Sequence, residues 1–230
     1  MRHCDESGKN SVEQLRAMTW IENLRSTDWS LAAVAGFCSY SLGCFTAGYY
    51  LVRFRTGTDV REIGSGSVGA KNVGRVLGKP GFLFTLLFDF GKGALAVAGV
   101  RQFTSDDRLV VLAMMAVVIG HIWPVQLRFR GGKGMATMLG GLLIYDLRLF
   151  FASAVAFLCL FVVTRKTVLP GLFALACAPL ASLLLDHDTA KAIQLSVLAG
   201  LVLVAHRKNL SEEILQLVPR RHAESKPDHL

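Results

Sequence analysis

Three glycine-rich or basic segments of this chain carry residue types that bind anions and move protons. The first runs from Gly64 to Arg75 and combines small residues with a serine, an asparagine and two cations. Small residues let backbone N–H groups approach an anion, and a cluster of such groups favours negative charge. The segment contains a formal G-x-G-x-x-G, but a dinucleotide site requires a preceding strand, and an apolar run precedes it here. A flexible linker whose basic residues face anionic lipid is the alternative interpretation.

The second segment runs from Gly120 to Thr137 and contains Gly131-Gly132-Lys133-Gly134 directly before an apolar run. Free N–H groups and the positive dipole at a helix N-terminus favour phosphate, and a lysine adds charge. The segment differs from a Walker A loop, because it lacks the first glycine and the Ser/Thr. The alternative is that Lys133 is a membrane-interface lysine that extends to the polar surface. For His121 we expect a structural hydrogen bond to a backbone carbonyl near a helix end.

The third segment, His206-Arg207-Lys208-Asn209, follows the last apolar run. His206 and Asn209 are three residues apart and share a face if the helix continues. A basic flank that fixes membrane orientation is the commonest alternative for such a cluster. Asp89 and Lys92 lie inside another apolar run, where charges are costly and point to function. At this spacing they can pair, and we expect a structural ion pair rather than direct catalysis.

The elements that must position these segments are membrane-spanning helices. Of the 230 residues, 52% are hydrophobic and 18% charged, and the mean hydropathy is +0.44, whereas soluble domains carry about 25% charged residues. This composition excludes a disordered chain, and five cysteines without paired spacing exclude a disulfide scaffold. The runs of spanning length are 29–52, 82–100, 109–127, 134–164, 168–185 and 189–205. The run 134–164 is too long for one span, so we predict two helices with a turn near Tyr145–Arg148.

The Lys and Arg residues divide unequally between alternate loops and termini, with 16 on one side of the predicted bundle and 7 on the other. Cytoplasmic loops are rich in Lys and Arg. We therefore predict an all-α polytopic integral membrane protein with about seven transmembrane helices, the N-terminus outside and the C-terminus cytoplasmic. We predict a polar N-terminal extension over 1–28, a membrane-embedded domain over 29–217 and a polar tail over 218–230. This topology also explains the net charge of +8, so no nucleic-acid partner is expected.

In this order, the three segments resemble the motifs of the bacterial acyl-phosphate:glycerol-3-phosphate acyltransferase family (the PlsY type). Its second motif, G-H-x-x-P-x-x-x-x-F-x-G-G-K-G-x-A-T, matches at every fixed position from Gly120 to Thr137. Its H-R-x-N motif matches at His206, and its first motif, G-S-G-N-x-G-A-T-N-x-x-R, matches apart from Ser67 and Lys71. The Gly-x-Glu that usually ends the carboxyl-terminal motif has no clear counterpart. The resemblance implies that residues 29–217 form an acyltransferase domain.

The resemblance implies transfer of a fatty acyl group from acyl phosphate to the 1-hydroxyl of glycerol 3-phosphate, which gives lysophosphatidic acid and phosphate. It implies a multi-pass protein of the bacterial cytoplasmic (inner) membrane, embedded in the lipid bilayer, with the active site facing the cytoplasm. No metal or other cofactor has support in the sequence. The implied catalytic residues are Ser65, Lys133, His206 and Asn209. The implied substrate-binding residues are Gly64, Gly66, Gly69, Asn72, Arg75, His121, Gly131, Gly132, Gly134 and Thr137.

Acyl phosphate is already activated, so such an enzyme has to position the glycerol hydroxyl and stabilise negative charge. We expect the first segment to hold the acyl phosphate and the second to bind glycerol 3-phosphate. The proton acceptor is the substrate's own phosphate, as the resemblance implies, or His206. Two alternatives remain open. One is a membrane carrier of an anionic phosphate ester, and the other is a catalytically reduced paralogue, which Ser67 and Lys71 favour.

Overall fold

The computed structural model describes residues 27–215, without the side chains of Asn209 and residues 212–215. Most of the predicted extension and the whole predicted tail lie outside the described residues. The described chain is helical, with short 3-10 helices at Val60–Glu62 and Val125–Leu127. Its α-helices are α1 (Trp29–Cys44), α2 (Ala47–Thr56), α3 (Ala70–Arg101), α4 (Asp107–Ile122), α5 (Met135–Tyr145), α6 (Leu147–Thr164), α7 (Val168–Asp186) and α8 (Thr189–Leu215).

The prediction of an all-α membrane protein is confirmed. Within residues 27–215, six segments are long and apolar enough to cross a bilayer, and the first of them is α1 together with α2. The seventh apolar helix, α5, has 11 residues and is about 16 Å long at about 1.5 Å per residue, roughly half of the hydrocarbon thickness. The predicted turn is confirmed at Asp146, whose carboxylate accepts the N–H groups of Arg148 and Leu149 at the start of α6. The orientation of the termini stays a prediction.

The first apolar run is not a single helix, contrary to the prediction for 29–52, because the helix is interrupted at Phe45. An interrupted helix leaves carbonyl groups of its last turn without helical partners. Lys92 donates to the carbonyls of Gly43 and Phe45, at 3.1 and 3.0 Å, and Gln126 donates to a third carbonyl. These donors come from other helices and loops, so the local sequence does not reveal the break.

The helix of the second span begins at Ala70, well before the predicted start at Phe82. It continues through a kink at Gly78, whose backbone has φ 70° and ψ −164°. Glycine enters this left-handed region without a steric cost, and Pro80, two residues later, lacks an N–H group for a continuous helix. The second half of the first motif, expected in a loop, therefore forms the first turns of α3.

The helices α3 and α5 pack with their backbones in direct contact. A Cβ at Gly93 would overlap with the carbonyl of Thr137, and a Cβ at Gly140 would overlap with the carbonyl of Phe90. Small residues permit this close approach between membrane helices. The short α5 is therefore held in the middle of the bundle, against α3.

The loops group at two ends of the bundle. At one end, ion pairs and hydrogen bonds join the loops that follow α3, α5 and α7. Arg101 donates to the Tyr145 carbonyl at 3.1 Å, and Lys191 contacts Asp146 and Asp186 at 2.6 and 2.7 Å. Because each crossing reverses the direction of the chain, the loops that contain the three motif segments lie at the other end.

The Asp146 network is expected to make stability depend on pH. Burial raises the pKa of the Asp146 carboxyl, but hydrogen bonds from Lys191 and Arg148 outweigh it and lower the pKa from 3.8 to about 2. A lowered folded-state pKa contributes stability above the unfolded-state value, and this contribution is lost as the pH falls through the folded-state value. We expect the Tm of the purified protein to fall between about pH 4 and about pH 2, and to fall less in Asp146→Asn. An equal fall in both proteins would contradict this role of Asp146.

Candidate functional site

Arg61 joins the first motif segment to the second. Its guanidinium donates to the Leu127 carbonyl at 2.8 Å, pairs with Asp59 at 2.6 Å and lies 5.1 Å from the ring centre of Tyr49. The hydrogen bonds from Arg61 hold the pKa of the Asp59 carboxyl below its ordinary value, so the pair stays charged at neutral pH. Arg61 was not among the predicted site residues, because in the sequence it is only a single basic residue shortly before the first motif. The two segments are therefore fixed relative to each other.

Asn72 organises the first segment from beneath. The residue is 1% exposed. Its amide nitrogen lies 2.9, 2.8 and 2.9 Å from the carbonyl oxygens of Val60, Ile63 and Ser67, which share its two hydrogens. Its oxygen accepts the Ser65 N–H at 3.0 Å. Because the Asn72 side chain uses its polar atoms in these hydrogen bonds, the residue contributes to a site by shaping the loop backbone.

The first segment presents Ser65 and Arg75 on its exposed side. Gly64 and Gly66, on either side of Ser65, have φ values of 57° and 66°, which glycine adopts without strain. Arg75 reaches back from α3 to the Asn72 oxygen at 3.2 Å and lies close against Gly64. The structure therefore brings the serine and the arginine of the motif to one surface.

Ser67 and Lys71, the two departures from the family motif, both form hydrogen bonds. The Ser67 hydroxyl accepts the N–H of Gly69 at 3.3 Å, directly before α3. The Lys71 ammonium donates to the Thr167 hydroxyl at 3.3 Å, at the start of α7. Ser67 thus supports a local turn, and Lys71 tethers the first segment to α7.

The N-termini of α3, α5 and α7 meet at this end of the bundle. Lys71 in the first turn of α3 reaches Thr167, the N-cap of α7. One turn into α7, Gly171 packs against the side chain of Met135, the first residue of α5. The N-cap residues of α3 and α5 are Gly69 and Gly134, so neither N-cap has a side chain that accepts the first-turn N–H groups. Their first-turn N–H groups form the kind of terminus at which anions bind.

An open depression of about 320 Å³ lies beside the first segment. It is lined by Lys71, Gly74, Arg75, Gly78, Lys79 and Phe82. Three cations therefore adjoin an apolar aromatic ring, a combination that suits a phosphate attached to a hydrocarbon chain.

Two glycines of the second segment use their N–H groups within the protein. Gly131 and Gly132 donate to the carbonyls of Ile122 and His121, both at 3.0 Å, and thereby cap the C-terminus of α4. The expectation of free N–H groups throughout this loop is wrong for these two residues. Their small size matters instead, because a Cβ at either position would overlap with residues of the α4 end.

Lys133 lies where α5 begins. Gly134 is the N-cap of α5, so the positive end of the helix dipole lies beside the lysine. Lys133 is half-buried and within electrostatic range of His206. Thr137, in the first turn of α5, is fully buried against Gly93, and it therefore supports the helix rather than lining a surface.

His206 brings the third segment to the same place. Its Nδ1 lies 2.8 Å from the Val202 carbonyl, and because a carbonyl only accepts, Nδ1 carries the hydrogen. The other ring nitrogen, Nε2, is then the atom that can accept a proton. Asn209 follows on α8, and its side chain lies outside the described residues.

His121 lies beneath the second segment and contacts an ammonium group instead of the expected backbone carbonyl, so that prediction was wrong. Its Nδ1 is 2.8 Å from Lys92 Nζ. The predicted ion pair between Asp89 and Lys92 is confirmed, at 3.1 Å. His121 is 3% exposed and Gly132 covers its ring. The imidazole therefore supports the loop from below.

Residues 33–216 match the family model described as glycerol-3-phosphate acyltransferase. The glycerol-3-phosphate acyltransferase 1 of Desulfitobacterium hafniense is 46% identical over 183 residues, which are 80% of this chain and 91% of that protein. The glycerol-3-phosphate acyltransferase of Prochlorococcus marinus is 37% identical, over 84% of this chain and 97% of that protein.

Two solved structures share the fold. The crystal structure of PlsY (YgiH), an integral membrane glycerol 3-phosphate acyltransferase, in its glycerol 3-phosphate form has a TM-score of 0.75 at 30% identity. The lysophosphatidic acid form has a TM-score of 0.71 at 28% identity. Each likeness covers 80% of this chain and 92% of the other.

Proposed function

This chain belongs to the glycerol-3-phosphate acyltransferase family, and we propose that it transfers a fatty acyl group from acyl phosphate to the 1-hydroxyl of glycerol 3-phosphate. The products are lysophosphatidic acid and phosphate, in the first step of phospholipid synthesis. One observation carries the proposal: the N-termini of α3 and α5, without side-chain caps, meet at one end of the bundle beside Arg75, Lys133 and His206. Phosphate groups bind at such N-termini, and each substrate carries one.

The position of the site suits the two substrates. Glycerol 3-phosphate is polar and arrives from water, whereas the tail of acyl phosphate belongs in the bilayer. A site at the end of membrane-spanning helices is open to both phases. Residues 29–217 are the part of the chain to which we assign this reaction, and the family model matches 33–216.

The first segment is proposed to hold the acyl phosphate. Ser65 and Arg75 are both exposed, and the Ser65 N–H and the Arg75 guanidinium donate to the same Asn72 oxygen. Charge-assisted hydrogen bonds from arginine to phosphate are strong. Phe82 lines the depression beside them and supplies apolar surface for the first part of the acyl chain.

The second and third segments are proposed to hold glycerol 3-phosphate and to support the transfer. Lys133 and the N-terminus of α5 bind its phosphate, which places the 1-hydroxyl near the acyl carbonyl. The hydroxyl oxygen attacks that carbon, the bond from carbon to the phosphate oxygen breaks, and inorganic phosphate leaves. The hydroxyl proton passes to a substrate phosphate oxygen or to His206 Nε2, and neither route needs a strong nucleophile because the donor is activated.

The protein is an integral multi-pass membrane protein, and we assign it to the bacterial cytoplasmic membrane with the site facing the cytoplasm. The loops at the motif end belong to the set of segments with 16 Lys and Arg residues, against 7 in the other set. Cytoplasmic loops carry such an excess. Labelling of single cysteines introduced at the two ends, with a reagent that does not cross the membrane, tests this assignment.

Membership of this family favours an acyltransferase over a membrane carrier of a phosphate ester. The carrier was supported only by the intramembrane charges and the anion sites at helix ends. The proposal of an active enzyme also differs from a catalytically reduced paralogue. Ser67 and Lys71 favoured that alternative, but both residues take part in hydrogen bonds that hold the first segment in place.

The decisive experiment supplies purified protein in lipid with palmitoyl phosphate and glycerol 3-phosphate, and with palmitoyl-CoA in parallel. We expect phosphate release and lysophosphatidic acid with the acyl phosphate. Activity with the CoA ester alone would overturn the proposed donor. Silence with both donors, in protein shown to be folded, would support the reduced paralogue.

Lys71→Thr is expected to leave kcat within about threefold of wild type, because Lys71 contacts α7 at an exposed position and one surface contact contributes about 1 kcal/mol or less. The variant restores the residue of the family motif. Steady-state kinetics with palmitoyl phosphate measures the effect. A loss of activity greater than about tenfold would mean that Lys71 has become part of the binding site.

A further inference from the structure

Lys92 lies inside the membrane-spanning α3, yet its side chain is surrounded by polar atoms and is 1% exposed. Its Nζ lies 3.1 Å from the Gly43 carbonyl oxygen, 3.0 Å from that of Phe45 and 2.8 Å from His121 Nδ1. An ammonium has three donors, and these three acceptors use all of them. Asp89 Oδ1 lies 3.1 Å from Lys92 Nζ and 3.4 Å from His121 Nδ1, and it supplies the opposite charge.

This arrangement fixes the direction of the His121 ring. Because an ammonium cannot accept a hydrogen bond, Nδ1 must accept, and the ring hydrogen lies on Nε2. The Nε2 edge then faces Gly132, where a Cβ would overlap with the ring, and the Gly132 N–H donates to the His121 carbonyl at 3.0 Å. The residue before Lys133 therefore rests on a ring whose direction depends on Lys92.

The same turn of α3 supports the residues that follow Lys133. Gly93 meets the Thr137 carbonyl, in the first turn of α5, with no space for a side chain. The segment that contains Lys133 is therefore held on both sides by the same turn of α3. Lys92 supports it through His121, and Gly93 supports it through Thr137.

An ion pair is a costly way to hold helices together in a membrane, and well-packed apolar residues often replace such a pair without loss of stability. Apolar side chains cannot direct an imidazole, and they cannot satisfy the two carbonyls at the break after α1. The three directed hydrogen bonds of one ammonium do both. These hydrogen bonds therefore favour a positioning function of the pair over a purely stabilising one.

We propose that Lys92 is a positioning residue for acyl transfer: by directing His121 it sets the position of Gly132, and through it the position of Lys133 towards glycerol 3-phosphate. The inference rests on the proposed function of Lys133 as a ligand of that substrate. A loss of positioning raises the KM for glycerol 3-phosphate, whereas the loss of a merely structural ion pair lowers the Tm and the amount of folded enzyme.

The first test removes the pair without leaving a buried charge, in the double variant Asp89→Asn/Lys92→Met. We expect the KM for glycerol 3-phosphate to rise about tenfold or more, since small misplacements of binding groups have large effects, while kcat changes less. The matched control is Asp146→Asn/Lys191→Met, which removes a partly buried pair at the opposite end of the bundle. The control is expected to lower the Tm and leave this KM unchanged.

The second test reads the contact between the ring and the loop, and it decides the matter if the first double variant does not fold. Gly132→Ala is expected to raise the KM, because its methyl group overlaps with the His121 ring. His121→Asn keeps an acceptor for Lys92 and removes the Nε2 edge. In the double variant His121→Asn/Gly132→Ala, the methyl group occupies the vacated space, so we expect a KM closer to wild type than that of Gly132→Ala.

Either of two results would overturn the proposal: an unchanged KM in folded Asp89→Asn/Lys92→Met, or independent effects of His121→Asn and Gly132→Ala that simply add. Binding of glycerol 3-phosphate, measured as a ligand-induced rise in Tm, follows the same positioning without an acyl donor. A wild-type protein that binds glycerol 3-phosphate but makes no product would overturn the proposed function and leave the positioning to be decided by binding.

Discussion

Lys133→Ala is expected to lower kcat/KM for glycerol 3-phosphate about 100-fold, or roughly 3 kcal/mol in transition-state stabilisation. The Lys133 side chain is half-buried at the start of α5, where its positive charge adds to the positive end of the helix dipole. It is also within electrostatic range of His206. We expect most of the loss to appear in KM, because the phosphate of the substrate is bound before and during the transfer. The measurement is steady-state kinetics at saturating palmitoyl phosphate, with the Tm as a check of folding.

Arg130→Gln is the matched control for the loss of charge. Arg130 lies three residues earlier in the same loop and is exposed, so its removal changes the overall field by the same unit charge. An exposed charge is screened by salt, and we expect less than about a threefold change in kcat/KM. Equal losses in the two variants would mean that Lys133 only adds to a general positive field.

Ser65→Ala is expected to lower kcat about 100-fold and to change the Tm little, because donors aimed at developing charge typically contribute about two to three orders of magnitude. Ser65 is exposed between two glycines with positive φ, and its N–H and the Arg75 guanidinium share the Asn72 oxygen. Single-turnover measurement of phosphate release isolates the chemical step. Wild-type rates would remove Ser65 from the site.

Ser67→Ala is the matched control for the loss of a hydroxyl from the same loop. The Ser67 hydroxyl accepts the Gly69 N–H at 3.3 Å before α3, so its removal is expected to cost about 1 kcal/mol of stability, the net contribution of one hydrogen bond. We expect a lower Tm with kcat within about threefold of wild type. A large loss of kcat in Ser67→Ala, together with an active Ser65→Ala, would mean that Ser67 and not Ser65 takes part in the reaction.

The membrane helices and the grouping of the motifs could be predicted from the sequence because both depend on local patterns. An apolar run that forms one transmembrane helix has a length set by the bilayer thickness. The turn at Asp146 could therefore be predicted, because the run that contains it is too long for one span. Ser65, Lys133 and His206 could be singled out because they lie in segments that resemble the motifs of the family. Arg61 could not be singled out, since its function depends on the Leu127 carbonyl, far along the chain.

The sequence by itself determined the membrane-spanning fold class, the order of the segments and the residue types available for binding phosphate. The tertiary structure alone decided which of those groups are available. It places the N–H groups of Gly131 and Gly132 on carbonyls of α4, Asn72 inside its own loop and Lys92 between His121 and the broken first span. The physical reason is that a hydrogen-bonding group is available only if no nearer partner uses it, and those partners come from other helices that packing brings into contact.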